Sequence, residues 1–217
     1  MFFDLHIHSK YSYLDSVAEI GDIIKVAKKA GMGAIAISDH DAIEGSLKAA
    51  KLSSKELIII PSMEISSVDG HIIGLGIKEL VKRDMPAAET VEKIHALGGI
   101  AIAAHPYDTL RRGVGDLSWK VGFDAVEVNG HCLYGNGKAE SEAKKHGKSV
   151  VGGSDAHSAN EIGIICTRVD GKSAEEILEN IKKGLCKPAY KKNPVSLKTS
   201  VLAGKISRRI GKGLRGD

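Results

Sequence analysis

The sequence is poor in aromatic residues, which make up 4% of its 217 positions, so a folded core has to rest on Ile, Val, Leu and Ala. It contains no apolar run near the roughly 20 residues that span a bilayer, which argues against a transmembrane segment. Its first residues, Met1-Phe2-Phe3-Asp4-Leu5-His6, offer neither the basic region nor the long apolar region of a secretory signal. Cysteine is scarce as well. Cys132, Cys166 and Cys186 are odd in number and without metal-ligand spacing, which speaks against a disulfide scaffold and for a reducing, cytoplasmic compartment. What remains is an ordinary globular mixture, 42% hydrophobic and 27% charged, long enough for one α/β domain.

The charge is unevenly spread. Nine of the 31 Lys and Arg lie between Lys187 and Asp217 beside a single acid, so the body before them is mildly acidic although the whole chain is +4. This divides the sequence into a body, residues 1–190, and a basic tail, residues 191–217. In the tail, Val201, Leu202, Ile206, Ile210 and Leu214 fall mostly at i, i+4 steps with Lys205, Arg208, Arg209, Lys212 and Arg215 between them, the pattern of a basic amphipathic helix. Such a helix could meet nucleic acid or a membrane surface. The plainer expectation is that it packs its apolar stripe on the acidic body.

Within the body, strand-like runs (Phe2–Ile7, Ala34–Ile37, Leu57–Ile60, His71–Gly76, Gly99–Ala104, Ala125–Val128 and Ser149–Val151) alternate with helical stripes. One stripe is Ile20, Ile23, Ile24 and Ala27, stopped by Gly31; others cover Ala87–Leu97, Ala139–His146 and Ala174–Ile181. Continuous apolar strands between amphipathic helices indicate an α/β fold with a largely parallel sheet. An open doubly wound sheet and a closed barrel both satisfy that pattern.

The placement of histidine is the informative feature. His6 and His8 close the first strand, and His40, His105 and His157 each follow a later one, as does Glu64. In parallel α/β folds, ligands gather at the carboxyl ends of strands, so these segments deliver imidazoles and carboxylates to one face. His6 and His8 are at i, i+2, which on a strand points both rings to one side, and Asp155 and His157 repeat the spacing. His40 stands between Asp39 and Asp41, either of which could orient it. Imidazole and carboxylate without thiolate suit Zn²⁺, Mn²⁺ or Fe²⁺. A Glu64 shared by two ions would hold them about 3.5–4 Å apart, the separation used for displacement at phosphorus. His95 and His146 read as helix surface residues; His131 also follows a strand and is left open.

These residues resemble the PHP (polymerase and histidinol phosphatase) family of metal-dependent phosphoesterases. The resemblance rests on Asp4-Leu5-His6-Ile7-His8-Ser9, Ser38-Asp39-His40-Asp41, Met63-Glu64-Ile65-Ser66, Gly70-His71, Ala104-His105-Pro106 and Gly153-Ser154-Asp155-Ala156-His157, in the family's order. It implies a distorted (β/α)₇ barrel with two or three divalent ions at the C-terminal ends of the strands. It also implies a ligand scheme: His6, His8, Glu64 and Asp155 for the first ion, with Glu64 bridging to a second held by His71 and His105. His40, His157 and a residue after the first motif would hold the third. The family places that residue five or six positions after the second His, where this chain has Tyr13 and Leu14; Asp15 comes seventh. Either a bulge brings Asp15 in, or the third position is weak or empty.

A phosphate ester needs charge neutralisation and an activated water, with an acid for the leaving oxygen. His157 or His40, beside Asp155, are the residues expected to take part in catalysis. Arg111, Arg112 and Lys10 are the candidate phosphate contacts. The expected activity is hydrolysis of a small phosphorylated nucleotide or metabolite. The alternatives are a nuclease that trims single-stranded ends, suggested by the basic tail, and a non-catalytic metal-binding module, suggested by the displaced Asp15.

Overall fold

Consecutive apolar residues make strands buried on both faces. In the computed structural model, which describes residues 1–12 and 15–190, the strands are β1 (Phe2–Ile7), β2 (Ala34–Ile37), β3 (Ile58–Ser66), β4 (His71–Leu75), β5 (Ile100–Ala103), β6 (Ala125–Asn129), β7 (Ser149–Gly153), β8 (Ile165–Val169) and β9 (Cys186–Tyr190). They form one sheet in the order β7-β6-β5-β4-β3-β2-β1-β8-β9. β1, β2 and β3 run parallel, as do β5, β6 and β7. Between these groups β4 is antiparallel to both neighbours, and β8 and β9 are antiparallel additions beside β1.

The two ends of the sheet curl towards each other. Just beyond β7, Ala156 pairs with Ile7 of β1; His8 N–H donates to the Ala156 carbonyl at 2.8 Å, and Gly152 N–H donates to Thr167 Oγ1 of β8 at 2.8 Å. The architecture is therefore the expected α/β one, a distorted and nearly closed barrel.

β3 is longer than its apolar core suggests. Its first half pairs with β2 and its second half, from Ser62, pairs with β4. Pro61 has no N–H to donate and lies where the strand changes partners. The extension carries Glu64 beyond the end of β2, where it bridges to His40.

The helices follow their stripes. They are α1 (Ile20–Lys29), α2 (Glu44–Ala50), α3 (Ala87–Ala96), α4 (Asn136–His146) and α5 (Ala174–Lys182). α1 buries Ile23 and Ala27, and α4 ends on Gly147 at φ 61°, the left-handed conformation that glycine adopts most easily. α5 starts at Ser173, whose hydroxyl accepts from the Glu176 N–H. Three elements lacked a sequence signal. α2 buries Gly45, Ser46 and Ala49, too small and polar to read as a stripe, while β8 and β9 carry charged or half-exposed residues.

A central cluster takes Phe3, Leu5, Ala34, Ala36, Ile60, Ile73, Ile102, Ala125 and Val151 from the barrel strands and closes on Ile177 and Ile181 of α5. A second core lies under α3, from Met63, Ile65, Ile72, Val91, Ile94 and Phe123. The basic tail, residues 191–217, falls outside the described residues, as do Tyr13 and Leu14. Among the described residues, no helix is long and apolar enough to cross a membrane.

Candidate metal centre

Glu64 stands at the middle of the site, and its two oxygens face different histidines. Oε2 lies 3.2 Å from His6 Nε2, 3.4 Å from His8 Nε2 and 3.1 Å from His40 Nδ1. Oε1 lies 3.1 Å from His71 Nδ1 and 3.2 Å from His105 Nε2. Asp155 Oδ1 is 3.1 Å from His8 Nε2 and 3.6 Å from His6 Nε2. At the mouth, Asp15 Oδ2 is 2.8 Å from His157 Nε2 and 3.4 Å from His40 Nε2. Six imidazoles and three carboxylates from separate segments thus meet in one place.

The backbone bends to bring them there. His105 and Asp155, just past β5 and β7, have φ of 31° and 56°, in the left-handed region that non-glycine residues enter at a cost of about 1 kcal/mol or more. His71 arrives differently, at the start of the reversed strand β4.

The donor set fits divalent ions. His6 Nδ1 is 2.9 Å from Glu127 Oε1, and a carboxylate only accepts, so the ring carries a proton there and offers an ion the Nε2 lone pair. That lone pair faces His8 Nε2 at 3.1 Å, Glu64 and Asp155, which are themselves electron donors. His157 lies between two acceptors, with Nδ1 at 2.7 Å from the Asp155 carbonyl and Nε2 at 2.8 Å from Asp15 Oδ2, so both its ring nitrogens donate and the ring is raised above the usual imidazole range. His40 and His71 each approach Glu64 through Nδ1, yet neither makes a hydrogen bond there. Lone pairs pointed at one another repel unless positive charge lies between them. Three donor groups converge in this way: His6, His8 and Glu64; His40, Glu64 and His71; and His8, Asp15, His40 and His157. The groups overlap at His8, His40 and Glu64, and they put His40 and His8 in more than one cluster, which the family's ligand scheme does not.

The electrostatics have the same sense. Burial opposes ionisation of Glu64, but His40, His6 and His71 hold its carboxyl well below the usual range. Asp155 is likewise lowered against burial, by Arg111 and His6, and Asp15 falls to about 2 because of its bond to His157. Burial and the neighbouring His157 and His40 push His8 down to about 3. The carboxylates have the opposite effect on His6, His71 and His157, which they raise above the usual imidazole range against burial, so a bound cation would take the place of protons held there.

The cavity in front of these groups measures roughly 290 Å³ and is lined by Arg111 and Arg112 as well as by donors. Arg111 contacts Asp155 Oδ2, and Arg112 donates to the Ser67 carbonyl at 3.1 Å. Lys10 does not line the cavity; its ammonium pairs with Glu19 at 2.8 Å. The acids beside His40 do not orient it. Asp39 accepts from Ser9 N–H and Oγ–H at 2.6 and 2.8 Å, and Asp41 from Ser66 N–H at 2.8 Å. His95 bonds Asp124, and His146 stacks on Trp119, both away from the site.

Sequence reasoning missed Glu127. It is fully buried on β6 and accepts from His6 Nδ1, from His105 N–H at 2.9 Å and from Asn129 Nδ2 at 3.0 Å. An acid inside the apolar run Ala125–Val128 was a visible anomaly, since a buried carboxylate needs partners.

Comparison with known proteins agrees with this fold. The model of the PHP-associated family matches residues 134–186. An uncharacterised protein of Methanocaldococcus jannaschii is 40% identical over 135 residues, which cover 58% of this chain and 79% of that one. Among solved structures, a two-domain Bacteroides vulgatus protein containing a predicted PHP-like metal-dependent phosphoesterase aligns with a TM-score of 0.74 at 18% identity. That match covers 88% of this chain and 64% of the other. Endonuclease Q, bound to a 27-mer duplex with an abasic lesion, aligns at 0.56 and 20% identity, over 84% of this chain and 56% of its own. The two structures share the fold, and this chain spans less than two thirds of either.

Proposed function

The chain belongs to the PHP family of metal-dependent phosphoesterases, and from that premise we propose that it hydrolyses the phosphate ester of a small phosphorylated nucleotide or metabolite. The observation that carries the reading is Glu64, whose two oxygens face two separate histidine sets in front of a cavity lined by two arginines. His6, His8, Glu64 and Asp155 would hold one ion, and Glu64, His71 and His105, with His40 at their side, a second. Divalent ions in these positions would supply an acidified water as nucleophile and positive charge for the phosphoryl oxygens.

The chain's own residues do the rest. Glu127 fixes the tautomer of His6 and so aims its Nε2. Arg111 and Arg112 present guanidinium groups to the phosphoryl oxygens, a contact that arginine makes in bidentate form. Asp15, His40 and His157 either take a third ion or, without one, leave His157 Nε2 to protonate the leaving oxygen. The place of Asp15, hydrogen-bonded to His157, supports a catalytic centre over a metal-binding module.

A nucleotide is favoured over a bare sugar phosphate by the margin of the cavity. Leu110, which lines it, is 83% exposed, and Tyr134 at the neighbouring hollow is 90% exposed, an apolar surface suited to a planar group beside the phosphate. The nuclease reading rests on the tail, outside the described residues. It is tested with a 5′-labelled oligonucleotide and a chain ending at Pro194. A cytoplasmic setting is part of the proposal, resting on the odd number and the spacing of Cys132, Cys166 and Cys186 in the sequence.

The central test is hydrolysis of an aryl phosphate with added Mn²⁺. Asp155→Ala is expected to lower kcat/KM by about 10³-fold, since charge stabilisation by a metal is worth several kcal/mol. Equal rates for the two proteins would overturn the assignment.

A further inference from the structure

His131 is a buried imidazole that the metal donors do not use. It follows β6, is 1% exposed, and its backbone N–H donates to Asn129 Oδ1 at 2.8 Å. Its Nδ1 lies 2.9 Å from Nη2 of Arg111. A guanidinium only donates, so Nδ1 is the acceptor and the ring proton sits on Nε2. Nε2 lies 3.6 Å from Glu161 Oε1, and the other oxygen of Glu161 accepts from the N–H groups of His157 at 2.8 Å and Ser158 at 3.0 Å. The ring, on the loop after β6, thus bonds Arg111 on the loop after β5 and faces Glu161 on the loop after β7.

Arg111 needs such support. It sits between the exposed Leu110 and Arg112, whose φ is 57°, in a loop with only a short 3-10 turn. A free arginine has much rotamer freedom to lose on binding an anion. Here Nη1 rests on Asp155 and Nη2 on His131, which takes up two of its five N–H bonds. The others remain for a phosphoryl oxygen.

We propose that His131, keyed by Glu161, is a positioning residue that holds Arg111 beside Asp155 and so sets the affinity of the site for a phosphoryl group. This rests on the phosphoesterase reading above. It assigns His131 no contact with substrate or metal.

The test is binding of inorganic phosphate to the metal-loaded full chain, by calorimetry and by competitive inhibition of aryl phosphate hydrolysis. His131→Ala is expected to weaken phosphate binding about tenfold, the loss typical of an outer partner. It should raise KM by a similar factor with kcat nearly unchanged, the signature of lost ground-state binding. His131→Asn, which keeps an acceptor near the Nδ1 position, should return within about threefold of the wild type. The double variant His131→Ala/Arg111→Met should bind phosphate no worse than Arg111→Met alone, because the two act through one contact. Glu161→Gln, at a more exposed position, gives the same test from the other end if His131→Ala does not fold, with several-fold weaker phosphate binding expected. Wild-type affinity in His131→Ala or in Glu161→Gln, additive losses in the double variant, or no rescue by Asn would overturn the proposal. A wild-type protein that neither binds phosphate nor hydrolyses the ester would remove the phosphoesterase reading itself, and this one with it.

Discussion

Replacing Glu127 by Gln changes one atom, and the structure says why it should still be costly. Oε1 accepts the His6 Nδ1 proton, while Oε2 accepts from both His105 N–H and Asn129 Nδ2. An amide has one accepting oxygen, so whichever way it is turned its NH₂ faces at least one of these donors in a site without solvent. A buried donor left without a partner costs about 1–3 kcal/mol. At about 2–4 °C per kcal/mol for a chain of this size, Glu127→Gln should melt roughly 2–12 °C lower. The second effect falls on metal. If the amide nitrogen meets His6, the ring must turn Nδ1 into an acceptor and move its proton to Nε2, which removes the donor aimed at Glu64. Loss of an outer partner typically lowers metal affinity 10–100-fold. Competition between the protein and a chromophoric chelator for Zn²⁺ or Mn²⁺ measures that factor, and calorimetry measures the melting point. Unchanged affinity together with a melting point within 1 °C of the wild type would refute the reasoning.

Other outcomes follow from single features. A Cβ at Gly153 would run into Glu127 Oε1 and come within 2.7 Å of His6 Cβ, so Gly153→Ala should cost about 1–3 kcal/mol and weaken metal binding with it; a variant that melts and binds metal as the wild type does would contradict this. Mn²⁺ at a hundred times its dissociation constant should add about 2.7 kcal/mol of stability, read as a melting point roughly 5–11 °C higher. No shift, or a shift that survives Asp155→Ala, would count against the centre. Burial and the bond to Asp116 push the Tyr107 phenol up to about 12. A pKa raised in the folded state gives stability that is complete below pH 10 and lost as pH rises through about 12. In an ultraviolet titration, Tyr107→Phe should remove a late-ionising phenol; an unaltered curve would be the contrary result.

Much of the site was legible because its residues lie at strand ends, where the apolar pattern itself marks the position. His6, His40, His105 and His157 could be placed on one face from that alone, and the structure does bring them together. The reversal of β4 was not legible, since an apolar run carries no sign of direction, and so the manner in which His71 enters was hidden. Glu127 and the partnership of His131 with Arg111 depend on which loops meet across the barrel, which is tertiary information. Lys10 shows the converse error. Nearness to His8 in sequence suggested a phosphate contact, but Lys10 comes two residues later in the turn beyond β1, where its side chain meets a surface acid instead. α2 escaped notice because Gly45, Ser46 and Ala49 suit a close approach to β2 and β3 better than they fill a stripe.

The hairpin between β3 and β4 restricts how this pocket can be remodelled. It turns within Ser67–Gly70, where the Ser67 hydroxyl donates to the Gly70 carbonyl, and His71 N–H is tied to the Arg112 carbonyl at 2.9 Å. Lengthening that turn would drag His71 out of register with Glu64, whereas the stretches after β5 and β6 hold no such donor at their far end. New substrate range should therefore be sought by grafting beyond Arg112 in the first stretch and beyond His131 in the second, with the tight wall left as it is.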